Sequence, residues 1–274
     1  MRGPRVLAQT LSVATTRGSA SRPWQYHSRS DNHSKVACWT VLFDMLIECD
    51  PFRRAAAEGR IGFGINHVMV GPINKTLDLV VTIVPPDRAA RRRDRFSGLV
   101  ERYGIVLSDE DRSVLADLPD MEMDERADVS EIAIALEAKA CMTEHGKSLP
   151  RLHAEILATG YLAKRAAPRC IAVSYSLVNS AVSFLTPSGA GRTNVHSQPA
   201  DTRKVLEMLG RAVPTRNESS AYGYDVVGAT TLTCRNDGTP VEIVDFPPKS
   251  TGVEHIHYAR MIRSLCAEYR GRFS

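Results

Sequence analysis

Leu136-Glu137-Ala138-Lys139-Ala140, late in the run Ile132–Cys141, decides how this chain is read. Along that run Ile132, Ile134 and Leu136 point one way, and Ala133, Ala135, Glu137 and Lys139 point the other, because side chains alternate on a strand. An acid and a lysine two positions apart therefore share a face, about 7 Å apart along the backbone. This is the only Glu-x-Lys in a chain with seven lysines. Upstream, Thr76–Val84 reads as another strand, with Leu77, Leu79, Val81 and Ile83 on one face and Thr76, Asp78 and Thr82 on the other. If the two strands pair, Asp78 joins Glu137 and Lys139. Two carboxylates converging in an apolar sheet repel each other unless a cation neutralises them, and a hard divalent ion does so through oxygen ligands. A strand-face ion pair of Lys139 with Glu137 or Asp78 is the plainer reading of the same residues.

The flanking elements follow from periodicity. Val36, Trp39, Phe43, Leu46 and Ile47 recur at helical spacing after the N-cap candidates Asn32 and Ser34. A short helical piece, Phe52–Glu58, is closed by Gly59. Ile61–Val70 predicts a strand with one bulky face and one bare face, carrying Gly62, Gly64 and Asn66. Residues 87–128 form an insertion, arginine-rich and helical to about Tyr103, then an acidic looped run from Ser108 to Asp128. Its arginines, Arg91 and Arg92 among them, suit a solvated helix face or a phosphate-tracking patch. After the Glu-x-Lys strand come a helix over Leu149–Ala166 and a β-type run over Arg169–Leu185 that breaks near Asn179-Ser180. A glycine-rich loop, Ser188–Gln198, and a helix, Asp201–Val213, follow. Arg235-Asn236-Asp237-Gly238 signals a hairpin between Tyr222–Cys234 and Thr239–Phe246, and His255–Arg270 forms a closing helix.

Composition bounds these readings. A chain of 274 residues, 43% hydrophobic and 24% charged, has apolar content for a sizeable core and is not disordered throughout. No stretch approaches the roughly 20 apolar residues that span a bilayer, so no membrane partner is expected. A net charge of +4 is too mild to name a partner, and 28 of the 35 basic residues are arginine. Six cysteines without a Cys-x-x-Cys predict reduced thiols and a cytoplasmic location. Residues 1–32, with five arginines and Asp31 as the single acid, predict a flexible basic leader outside the fold.

In the order helix, three strands, helix, strand, with the acid on the second strand and Glu-x-Lys on the third, the chain resembles the PD-(D/E)xK, or restriction-endonuclease-like, nucleases. Thr76-Leu77-Asp78-Leu79-Val80 and Leu136-Glu137-Ala138-Lys139-Ala140 carry the resemblance, which covers roughly residues 33–187. Gly64-Ile65-Asn66-His67, the run Glu137–His145 and Pro150-Arg151-Leu152 look like the type II restriction-enzyme kind. Two departures stand out: the residue before Asp78 is Leu instead of Pro, and the insertion makes the gap from Asp78 to Glu137 long.

The resemblance implies an α/β fold. A nuclease core over 33–187 (helix, three-stranded antiparallel meander, helix, strand) would carry a C-terminal extension, 188–274, of β-hairpin and helix. It implies a magnesium-dependent endonuclease acting on double-stranded DNA, with manganese able to substitute. Asp78 and Glu137 would hold the metal together with the Ala138 carbonyl, Lys139 would serve the water or the phosphate, and Glu48 at the end of the first helix would assist. Arg192 and Asn194 in the glycine-rich loop have the chemistry for guanine and adenine edges. A homodimer would suit a palindromic site, and a cognate DNA methyltransferase would be encoded nearby. The alternatives are a structure-specific repair or mobile-element nuclease of the same fold, and a non-catalytic DNA-binding module.

Overall fold

The computed structural model describes all residues except 18–22, 70–73, 86–93, 125–130, 188–190, 213–222, 248–249 and 251. In chain order the first half holds α1 (Gly3–Ser12), the two-residue strands β1 (Thr16–Arg17) and β2 (Pro23–Trp24), α2 (Asn32–Glu48), α3 (Asp50–Ala57), β3 (Ile61–Met69), β4 (Lys75–Ile83), α4 (Leu99–Arg102) and α5 (Asp109–Ala116). Then come β5 (Ile132–Cys141), α6 (His145–Ala166), β6 (Ile171–Asn179), β7 (Ser183–Leu185), β8 (Thr193–Val195), α7 (Ala200–Gly210), β9 (Val226–Thr233), β10 (Glu242–Val244), a 3-10 turn at Glu254–Ile256, and α8 (Tyr258–Phe273).

The fold is α/β, a mixed six-stranded sheet in the order β10-β9-β6-β5-β4-β3 with helices on both faces. β3, β4 and β5 run antiparallel in sequence. α6 then carries the chain back so that β6 lies parallel to β5, as a parallel pair requires a crossover. Every residue of β6 is buried, which accounts for its near-continuous apolar composition. Val6, Leu7, Trp39, Phe43, Phe52 and Ile262 pack on one face of the sheet, and Leu152, Ile156, Val205 and Leu206 on the other. α2 is apolar on nearly all sides and is correspondingly buried from Ser34 through Leu46, except Lys35. Between Val81 and Thr82 the β4–β5 register shifts, so Ile132 packs with Ala135 on the α6 side while Ile134 and Leu136 face α2. The single alternating face expected for all three is thus broken by a bulge.

Several expectations are corrected. Residues 1–32 are not a leader outside the fold: α1 buries Val6, Leu7 and Leu11 against α2. The cause is Asp44, a carboxylate with no exposed surface on α2. It accepts Arg2 N–H at 2.8 Å and Gly3 N–H at 2.9 Å, satisfying donors that a helix start leaves open. The C-terminal third is integral as well, since β9 and β10 are sheet strands and α8 packs on β9 and α2. The acidic run from Ser108 contains a helix, because the Ser108 hydroxyl caps Asp111 N–H and three acids in the first turn suit the helix dipole. The insertion also folds back on the sheet: Phe63 and Met123 bridge, and a Cβ at Gly62 would meet Glu122 O at 3.1 Å, which explains the bare face of β3. Cys49 and Cys266 form a disulfide across a separation of 217 residues, where reduced thiols were expected; the other four cysteines are free and buried. No helix among the described residues is long and apolar enough to cross a membrane.

Because Leu7 is wholly buried, Leu7→Ala is expected to destabilise the protein by about 2–5 kcal/mol in denaturant unfolding. A change near zero would restore the detached leader.

Candidate active site

The β4–β5 ladder has its last paired rung at Leu79 and Leu136. Beyond it the strands part, and Ala138 N–H donates at 2.8 Å to Asp78 Oδ2 in place of the next backbone bond. On the other side of Asp78 the β3–β4 register is interrupted at Asn66, whose φ is +52° and whose amide donates to Asp31. Asp78 thus sits at a fork, next to Glu137 on the neighbouring strand. β5 itself stays straight because β6 pairs with it through Cys141.

Glu137 is almost fully buried, at 3% exposure. Its Oε1 receives Lys139 Nζ at 2.6 Å and Lys75 Nζ at 3.1 Å. Lys139 also reaches Glu155 Oε2 on α6 at 3.3 Å, and Glu155 is held by Arg151 at 2.6 Å. Burial, and after it the charge of Glu137, push the Asp78 carboxyl up to about 6, against the pull of Ala138 N–H, Lys139 and the Ser34 hydroxyl. Burial pulls Lys139 down, but Glu137 and Glu155 outweigh it and hold the ammonium above its ordinary value. The imidazole of His33, on the first turn of α2, is pushed down to about 4 by burial.

All of these groups except Lys75 line one cleft of about 880 Å³ between the start of α2, the start of α6 and the β7–β8 hairpin. It brings together Asp78, Glu137, Ala138, Lys139, Arg192 and Asn194 from the sequence reading. Arg192 is exposed at the rim, and the Asn194 amide lies 3.5 Å from Thr143 O. Arg91 and Arg92 lie outside the described residues. Glu48 does not belong to the cleft. Ser34, at the opposite end of α2, is the residue that touches Asp78, and fourteen residues of helix place Glu48 about 21 Å further along. There it pairs with the Met1 ammonium at 3.8 Å. The acid that the helix does bring to the cleft is Asp31, bound to Lys35 at 2.8 Å.

Sequence reading missed Lys75, since its place on β4 does not share the alternation of Asp78. Glu155, one helical turn from Arg151 on α6, was left undecided between a surface partner of Arg151 and a member of the site, and it holds both Arg151 and Lys139. His145 is structural, bonded to Asn179 O at 2.6 Å.

A hard cation fits these residues on one observation: Glu137 Oε2 is buried without a hydrogen-bond partner. Among the described residues no three His, Cys, Asp or Glu side chains gather as a ready ligand set, so the two carboxylates would need backbone carbonyl and water oxygens beside them. Compared with known proteins, the chain matches no family model and no curated sequence.

A carboxyl whose folded-state pKa is raised adds stability that is complete below the unfolded value and is lost as pH rises through the folded one. With Asp78 raised from 3.8 to about 6, the metal-free protein is expected to lose stability relative to Asp78→Asn between about pH 4 and pH 6 in urea unfolding. Parallel stabilities over that window would contradict the burial of this carboxyl beside a second charge.

Proposed function

We propose that the chain is a magnesium-dependent endonuclease that hydrolyses phosphodiester bonds of double-stranded DNA on a PD-(D/E)xK core, as a type II restriction enzyme does. The observation that carries this reading is the meeting of Asp78, Glu137 and Lys139 at the fork of two strands, with one Glu137 oxygen left unpartnered. The order α2, the antiparallel strands β3 to β5, α6 and the parallel β6 supports the same core.

In this reading Asp78 and Glu137 hold the ion, with the Ala138 carbonyl beside them. When bound, a magnesium or manganese ion supplies positive charge that polarises the phosphate, eases ionisation of water and steadies the leaving oxygen. The Lys139 ammonium, kept charged by Glu137 and Glu155, offsets the negative charge that builds on the phosphate oxygens. Glu155 and Arg151 orient that lysine from α6. Lys75 shares Glu137 Oε1 with Lys139, so it helps fix the rotamer of the acid. The fork makes room for a substrate because the strand that would have continued the ladder has turned away.

Asp78→Ala, Glu137→Ala and Lys139→Ala are each expected to lower magnesium-dependent cleavage of plasmid DNA at least about a hundredfold, with circular dichroism unchanged. Glu48→Ala should cleave as wild type does, and chelation of divalent ions should stop cleavage altogether. Retained activity in the Glu137 and Lys139 variants would remove the reading. Discrete fragments from the plasmid are the result expected of a restriction enzyme; cleavage confined to branched or nicked substrates would move the assignment to a structure-specific nuclease.

A further inference from the structure

The segment that leads from β2 into α2 forms part of the cleft wall. Its root is tightly held. Gln25 and Tyr26 are buried, at 3% and 7% exposure. Gln25 Nε2 donates to Thr239 O at 2.7 Å, and Gln25 Oε1 accepts Gly238 N–H at 3.0 Å. Asn236 binds the backbone of Tyr26 on both sides, accepting its N–H at 2.9 Å and donating to its carbonyl at 3.0 Å. The same Asn236 amide donates to Leu185 O, at the end of β7, at 2.8 Å. Asn236 is 2% exposed and has φ +60°, a conformation asparagine tolerates better than most residues. The Tyr26 ring then packs edge-on against Phe184 of β7, with centroids 6.0 Å apart. One buried asparagine therefore seats both the segment and the β7–β8 hairpin.

Beyond that footing the chain runs along the cleft, where Ser28, Arg29, Ser30 and Asp31 line it on the way to α2. Arg29 is exposed. So is Arg192, the residue before β8, on the hairpin that shares the footing. Neither guanidinium has an ion pair or a side-chain hydrogen bond among the described residues, although carboxylates line the same cleft. Four of its five carboxylates have named partners: Glu137 two lysines, Glu155 Arg151 and Lys139, Asp31 Lys35, and Asp78 the Ala138 N–H. Two guanidiniums without a side-chain partner among the described residues, above an acidic floor, fit a ligand that is anionic along its length and neutralised at one point. A guanidinium binds phosphate through paired donors, and its charge displaces a condensed counterion when the phosphate belongs to DNA.

We propose that residues 26–31 are a nucleic-acid-binding strap in which Arg29 contacts a backbone phosphate of the duplex held at the Asp78–Glu137 centre. The inference rests on the nuclease reading, and it adds to it a contact from a segment that sequence alone set aside as a leader. A phosphate contact is indifferent to base sequence, so Arg29 contributes affinity and register, while readout of base edges falls to other groups.

Binding of a fluorescently labelled DNA duplex, measured by anisotropy in EDTA over a salt series, tests it. Arg29→Ala is expected to weaken binding about tenfold and to reduce the slope of log K against log salt by about 0.9, the signature of one lost phosphate contact. Arg29→Lys should keep the slope and most of the affinity. Arg54→Ala, an exposed arginine on α3 outside the cleft, should change neither quantity. In magnesium, Arg29→Ala should raise KM and leave kcat within about twofold, as loss of uniform binding does. Wild-type affinity and slope in Arg29→Ala would overturn the strap while leaving a cleaving wild-type enzyme as it stands. A wild-type chain that neither binds nor cuts duplex DNA would instead overturn the nuclease reading, and the strap with it.

Discussion

The hydrogen bond from Ala138 N–H to the Asp78 carboxylate stands where β4 and β5 stop being a sheet. A strand that loses its neighbour exposes a backbone donor, and inside a protein that donor must find a partner. Asp78 is the partner, and this draws its side chain to the strand that carries Glu137 and Lys139. The same bond closes the top of the fork and supplies one of the two acids at its base. The arrangement costs stability, because the carboxyl is buried beside a second negative charge and holds its proton to about pH 6. Ser34, Lys139 and Ala138 N–H ease that cost only in part. Two acids held together in a packed sheet are tolerated when positive charge shares the site, and Lys139 and Lys75 supply part of it on one Glu137 oxygen while the other stays unpartnered.

α2 is the rod on which the cleft is hung. It is too apolar to have a free face, so it is enclosed by α1, α8 and the sheet, and its direction is fixed by that enclosure. Asp44 draws the start of α1 against it near one end, close to where Glu48 and the Cys49–Cys266 disulfide lie. Ser34 and Asp31 are thereby delivered to the other end, beside Asp78. The strap reaches the cleft because Asp44 holds the start of α1 and Asn236 of the last hairpin holds the backbone of Tyr26, just after β2. Residues from the first thirty and the middle of the chain thus form one wall, footed on Asn236 from the last forty.

Much of this could be read from the chain. β5 was placed at Ile132–Cys141 from alternation alone, and β3, β4, α6, β6 and the hairpin of β9 and β10 fell within a few residues of their observed ends. Asp78, Glu137 and Lys139 were singled out from two strands separated by a long insertion, and they do meet. Glu48 was chosen on the wrong end of α2, because periodicity identifies a helix without saying which end approaches a neighbour. Lys75 and the strap were not legible, since each depends on a side chain crossing between elements. The acidic stretch after Ser108 was passed over as a loop although its cap is local, and it was composition that misled there.

By itself the sequence determined the periods of the strands and helices, the turn at Asn236 and the pairing of an acid with a lysine on one strand face. These are set by residues a few positions apart, where backbone geometry leaves little choice. Only the tertiary structure decided that the first thirty residues belong to the core, that α2 points its N-terminus at the cleft, and that Arg29 stands on its rim. Those outcomes hang on contacts between residues 41 to 217 positions apart, such as Gly3 with Asp44, Tyr26 with Asn236 and Cys49 with Cys266. Whether such partners meet is settled by the packing of the whole chain and by the need of each buried polar group for a partner, which no local pattern records.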